Sequence, residues 1–200
     1  MEDKEMKSNS VQTAPMPKIA VTIIARNSEK TIRKCIQSFA PYVDQIVVVL
    51  AGISKDKTAQ EAKNGSKKVQ LFHWQEDINN EGAINHFANA RNYALSKVRD
   101  DINWMLWVDS DDVVVGAEHL KEIISKLGVE DGCVWLRYDY ASDEFGNVTV
   151  SFERERLLKK SLNWIWRGRI HETVTPSIPC KYVRSQDVYL KHNHLAGESR

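Results

Sequence analysis

Two β-branched apolar runs, Ile19–Ala25 (IAVTIIA) and Ile46–Leu50 (IVVVL), constrain this chain more than any other feature. A strand with one wet face alternates apolar and polar residues. A short run without alternation fits a strand covered on both faces. Between the runs, Ile32, Cys35, Ile36 and Phe39 recur at i, i+3, i+4 and i+7, one face of an α-helix. Asn27 and Ser28 are placed to cap that helix, and Pro41 to help end it. Strand, helix and strand in this order read as a βαβ unit with parallel strands.

The alternation continues. Thr58–Lys63 is predicted as a short helix, Val69–His73 as a third strand and Ala83–Val98 as a longer helix. Trp104–Val108 (WMLWV) is a fourth strand that runs directly into Asp109–Ser110–Asp111–Asp112. Leu120, Ile123, Ile124 and Leu127 repeat the helical spacing before Gly128, a helix stop. Cys133–Tyr140 is a fifth strand. The pattern then changes: Val148–Leu158 alternates weakly, Ser161–Arg169 is rich in Trp and Arg, and Val188–His192 is a last short strand. The fold class is α/β, a mostly parallel sheet flanked by helices with a small mixed antiparallel C-terminal part.

Composition narrows the function. Lys and Arg (28) nearly balance Asp and Glu (27), which argues against nucleic acid or an anionic membrane as the main partner. Cys35, Cys133 and Cys180 form no CxxC pair, so no zinc framework is visible and a reducing compartment is expected. No apolar run is long enough to span a bilayer. Residues 1–17 are polar, lack the apolar core of a signal peptide and read as a disordered arm. A cytoplasmic protein is the expectation, with a partner-mediated membrane attachment left open.

The acidic cluster carries the chemistry. If extended backbone continues past Val108, Asp109 and Asp111 share a face, about 6–7 Å apart. Three carboxylates in four residues repel one another unless a cation compensates. Hard oxygen ligands at the carboxyl edge of a parallel sheet suit Mg²⁺ or Mn²⁺. The plain alternative is a polar turn of capping aspartates.

Arg91 lies four residues after Phe87 and four before Leu95, on the inward stripe Ile84, Phe87, Leu95 and Val98. A charge there needs a partner: a core carboxylate, a bound diphosphate or the acidic cluster, unless its stem snorkels outwards. His171–Glu172 is not a zinc-protease motif, since position 175 is Thr175. Trp164 and Trp166 offer flat faces for a sugar or for the core. His192 and His194 alternate and share one face of an extended segment, as metal ligands or as an ordinary strand end.

Five segments, in order, resemble glycosyltransferase family 2: VTIIARNSEKTIRKCIQSF, VDQIVVV with KDKTAQEA, HFANARNYAL, WMLWVDSDD and WRGRIHE. They cover most of residues 18–172, and look most like the bacterial branch that acts on lipopolysaccharide cores. The resemblance implies a GT-A fold, with one domain over residues 18–200. Residues 18–115 would bind the nucleotide sugar and 116–200 would face the acceptor. It implies metal-dependent, inverting transfer from a UDP- or GDP-sugar to a glycan, lipid-linked or protein acceptor. The family's DxD holds metal and diphosphate, which points to Asp109, Ser110 and Asp111 with Mn²⁺ or Mg²⁺. By the same likeness Ala25, Asn27, Asp56 and Arg91 belong to the donor side. Glu172 is then the acceptor's general base, with His171, Trp164 and Trp166 beside it. A late His, His194 in preference to His192, would join the metal.

One departure stands out. The family's D-x-G-S-x-D-x-T pattern after the second strand contacts the nucleotide base. This chain reads LAGISKDKT, with Leu50 or Ala51 in place of the first Asp. The segment between Trp74 and Phe87 is also longer than usual, and the chain stops soon after His194, where many relatives continue. Two other readings compete. A nucleotidyltransferase also uses paired carboxylates, but it needs a Gly-rich loop where ARNSEK has no glycine. A degenerate domain that binds without turnover would explain the lost Asp.

Overall fold

The computed structural model describes residues 16–193. Most of the arm expected over residues 1–17, and His194, lie outside them. Both apolar runs are strands, β1 (Ile19–Ala25) and β2 (Gln45–Ala51), buried at every residue. They pair in parallel and are joined through α1 (Ile32–Phe39). After α2 (Thr58–Gly65), β3 (Val69–Trp74) adds parallel to β2. After α3 (Phe87–Ser96), β4 (Trp104–Asp109) returns parallel to β1 on its other side.

The rest comprises β5 (Asp112–Val115), α4 (Leu120–Ser125), β6 (Asp131–Ser142), β7 (Val148–Lys159), β8 (Trp164–Arg167), β9 (Thr173–Pro176) and β10 (Lys181–His192). One eight-stranded sheet runs β3-β2-β1-β4-β7-β6-β10-β5, and β8 with β9 forms a small antiparallel pair. The sheet is parallel through β4, and β7 then joins antiparallel to both β4 and β6.

The absence of alternation in β1 has the expected cause. Ile19, Val21 and Ile23 pack in one core with the apolar stripes of α1 and α4, while Ala20 and Ile24 pack in a second with Ala88 and Ala94 of α3. Each fully enclosed Ile or Leu contributes about 1.5–3 kcal/mol relative to exposure. Because β1, β2 and β4 are parallel, their carboxyl ends share one edge, where Ile24 sits beside Asp109 and Ala25 beside Leu50. No helix among the described residues is long and apolar enough to cross a membrane.

The structure corrects two local expectations and adds one element. The N-cap of α1 is Thr31, with no side-chain capping bond; Ser28 instead offers its carbonyl to the amides of Thr31 and Ile32. The helix expected over Ala83–Val98 begins only at Phe87, because residues 77–85 close on themselves through an Ile78–Ile84 bridge. A short strand with no sequence signal, β5, lies between the acidic cluster and the helical stripe that becomes α4. Gly116 ends β5 at φ 78°, and a Cβ there would lie 2.1 Å from the Asp187 carbonyl oxygen of β10.

Candidate active site

β4 ends at Asp109, Ser110 and Asp111 form a turn, and Asp112 opens β5. The expected shared face of Asp109 and Asp111 on extended backbone is therefore not formed. The Asp112 carboxylate closes the turn by accepting the Asp109 amide at 3.1 Å, and it is wholly buried. Its other oxygen accepts the Tyr138 hydroxyl at 2.9 Å and lies 3.4 Å from His192 Nδ1. Asp111 is more open, with Oδ1 3.6 Å from the same His192 nitrogen. The Ser110 hydroxyl meets that of Ser28 at 2.8 Å.

Arg91 joins this turn to a distant loop. Its Nη2 donates to Asp109 Oδ1 at 2.7 Å and its Nε to Glu172 Oε1 at 2.6 Å, with the guanidinium packed against the rings of Trp107 and Trp166. The buried face of α3 is built from Ala88, Ala90, Arg91 and Ala94; Phe87 is partly exposed instead. Small residues let the helix approach the sheet, so Arg91 reaches its carboxylates without leaving the interior.

A second buried guanidinium, Arg156, carries no sequence motif. Its Nη1 lies 3.5 Å from Asp112 Oδ2 and 3.8 Å from Asp109 Oδ2. The two neighbouring acids respond in opposite ways. Burial works to raise Asp109, but Arg91 and then Arg156 outweigh it and hold this carboxyl down at about 2. Asp111 moves up from its ordinary value: burial and the charges of Asp109 and Asp112 exceed the help of His192.

Arg91, Asp109, Ser110, Asp111, Arg156 and His192 line a cavity of about 830 Å³, together with Ala25, His171 and Glu172. His171 sits in its loop at φ 56°. Asn27 and Asp56 do not line it. Asn27 Oδ1 accepts the Lys55 amide, and Asp56 accepts the amides of Glu29 and Thr58, so the pair ties the loop after β1 to the loop after β2. Burial opposes ionisation of Asp56, yet the Thr58 hydroxyl and then these amides bring its carboxyl below the ordinary value. Trp164 and Trp166 are 5% and 3% exposed and belong to the second core. A ring packed on protein cannot also stack on a sugar, so they act by packing, Trp166 beneath Arg91. Two other acids of this region stay outside the cavity: Asp139 accepts the Ser151 hydroxyl and pairs with Arg137, and Asp143 caps a hairpin turn.

The longer segment before α3 has a location. The Gly82 carbonyl accepts the Ile53 amide at 2.8 Å, and the Glu81 carbonyl takes Arg26 Nη2 at 2.7 Å. It lies over Gly52, at φ 89°, where a Cβ would fall 2.3 Å from the Gly82 oxygen. Backbone thus covers the place beside Ala51 where a carboxylate is missing.

Among the described residues, one group could hold a metal ion: Asp111, Asp112 and His192, with one ligand atom from each within 4.8 Å of the others. Two carboxylates and an imidazole suit Mn²⁺ or Mg²⁺. The group differs from the expected Asp109, Asp111 and His194. Both Asp109 oxygens face arginines, and His194 lies outside the described residues. The alternation of His192 and His194 was the signal that could have found His192. Arg156 had no such signal.

Residues 20–179 match the family model for glycosyl transferase family 2. A TPR repeat-containing protein of Synechococcus elongatus is 25% identical over 82% of this chain and 37% of its own length. TarS of S. aureus (residues 1–349) superposes with a TM-score of 0.57 at 15% identity, over 84% of this chain and 60% of that one, a likeness of fold. Glucosyl-3-phosphoglycerate synthase from Mycobacterium tuberculosis, in complex with Mn²⁺, UDP and glucosyl-3-phosphoglycerate, aligns at 0.46 with 21% identity, over 63% of this chain and 45% of that one. The chain thus spans less than two thirds of the length of each of these proteins. With the family match covering the parallel strands, the acidic turn and the Arg91–Glu172 pair, this chain belongs to glycosyltransferase family 2 and has the GT-A fold.

Proposed function

We propose that this domain transfers a sugar, with inversion, from a UDP- or GDP-sugar to an acceptor hydroxyl, with Glu172 as the base. The observation that carries the reading is Arg91, which holds Asp109 of the acidic turn and Glu172 of the opposite loop within one cavity. Asp111, Asp112 and His192 would hold the divalent cation, Mn²⁺ or Mg²⁺. When bound, that ion supplies positive charge for a departing diphosphate.

The chain's own residues do the rest. Arg91 occupies Glu172 Oε1 and leaves Oε2 without a hydrogen-bond partner among the described residues. The acceptor oxygen attacks the anomeric carbon, the bond to the diphosphate breaks with its electron pair, and the acceptor proton passes to Glu172. In this reading Ser110, Ala25 and Arg91, which line the cavity, serve the donor, and His171, which also lines it, serves the acceptor. Donor identity, the acceptor (glycan, lipid-linked or protein) and a cytoplasmic site of action belong to the same reading. Binding without turnover draws on the backbone covering Gly52.

A panel of UDP- and GDP-sugars, assayed for transfer and donor hydrolysis with and without Mn²⁺, separates the two. Glu172→Gln is expected to keep donor binding and lower transfer by about 10²–10⁴-fold. Transfer at the native rate, or lost donor binding with surviving chemistry, refutes the role of Glu172. An absence of turnover with every donor refutes the enzyme reading.

A further inference from the structure

Arg156 owes its position to an irregularity. Val134 of β6 pairs with Leu157, but the next residue, Trp135, pairs with Glu155, so Arg156 is the extra residue of a β-bulge. Bulges next to functional sites re-aim a side chain. Here the guanidinium lies 3.7 Å from the Trp107 ring centroid and 4.5 Å from that of Tyr138, at 1% exposure. Its Nη1 donates to the Trp107 carbonyl at 3.3 Å, and its Nε has no hydrogen-bond partner among the described residues.

Arg91 and Arg156 differ in kind. Arg91 makes two short, aligned bonds of 2.6 and 2.7 Å to two carboxylates, as an arginine that fixes geometry does. Arg156 stands off at 3.5 Å from Asp112 and 3.8 Å from Asp109 and bonds neither. At those distances in a buried setting it acts through charge. It faces Asp112 Oδ2, while Oδ1 faces His192 and Tyr138.

We propose that Arg156 is a built-in counter-ion: it keeps the Asp109–Asp112 turn assembled when no metal is present, and it weakens metal binding there by competing for the same negative charge. This rests on the reading that Asp111, Asp112 and His192 take a divalent cation. The role is one of positioning and tuning, without contact to the reacting atoms.

The test compares Arg156→Gln with Arg156→Lys, which lose and keep the charge, by thermal melts in EDTA and in Mn²⁺ and by Mn²⁺ titration calorimetry. Without metal, the Gln variant is expected to melt below the Lys variant. With Mn²⁺ it is expected to gain more, and to bind Mn²⁺ about tenfold more tightly or better, since a cation near the ligands is gone. Arg156→Met, which refills the slot between Trp107 and Tyr138, is expected to match Gln. Equal Mn²⁺ affinities and equal shifts for Gln and Lys overturn the proposal and leave a packing role. Uncharged variants that stay unfolded even in Mn²⁺ also overturn it, because the metal was to replace the missing charge. A wild-type protein that ignores Mn²⁺ identifies a different failure, that of the metal reading itself.

Discussion

Along β1, β2 and β4 the parallel registers run unbroken, residue against residue. In β6, β7 and β10 the registers slip, at Val134/Trp135, Asp139/Ala141, Ala141/Ser142, Lys181/Tyr182 and Ser185/Tyr189. The first region is apolar on both faces and gains most by regularity. The second has polar and aromatic residues to place, and each slip turns a side chain that a regular strand would have sent elsewhere. The cavity lies where the two regions meet: the unbroken strands end in Asp109, and the slipped ones bring Arg156, Tyr138 and His192 to it. The regular half supplies stability, and the irregular half arranges the site around it.

That division can be broken at graded points. Leu106 is fully enclosed in β4, so Leu106→Ala is expected to cost about 4 kcal/mol in urea unfolding, within the usual range for a buried leucine. A cost under about 1 kcal/mol would mean that the regular half does not carry the fold. Arg91→Met removes the charge between Asp109 and Glu172 and is expected to cost about 3 kcal/mol, toward the low end because Asp109 is partly open to solvent. Adding Asp109→Asn should recover part of that loss; additive losses would show that the pair is not coupled.

Gly52→Ala is expected to cost about 1–3 kcal/mol, since alanine at φ 89° is strained and its Cβ would meet the Gly82 carbonyl. Hydrogen exchange should report the opening in residues 78–84 and leave β1 and β4 protected. The smallest effect has the opposite sign. The carboxyl of Asp111 is raised in the folded protein, so its ionised form at neutral pH opposes folding. Asp111→Asn should therefore raise the melting temperature slightly in EDTA and abolish any rise on adding Mn²⁺. A variant that melts lower in EDTA, or that keeps the Mn²⁺ response, would separate Asp111 from both roles.

The periodicity of the chain determined the βαβ beginning, because strands buried on both faces and a helix with one apolar stripe leave few other packings for IAVTIIA, IVVVL and the Ile32–Phe39 stripe. It also determined that an acidic cluster ends β4 and that the charge of Arg91 needs a partner, since burying it alone is too costly. Tertiary structure decided the rest. Which carboxylates meet Arg91 depends on bringing Glu172 across 81 positions of sequence. That Asp112 turns inward while Asp109 faces arginines depends on a turn closed by a single side-chain bond. Trp164 and Trp166 went to the core because β8 packs against α3, a contact that no local pattern encodes. Arg156 was invisible for the plainest reason: a bulge is set by how two strands fit each other, and a period of two read along one strand has no place for the extra residue.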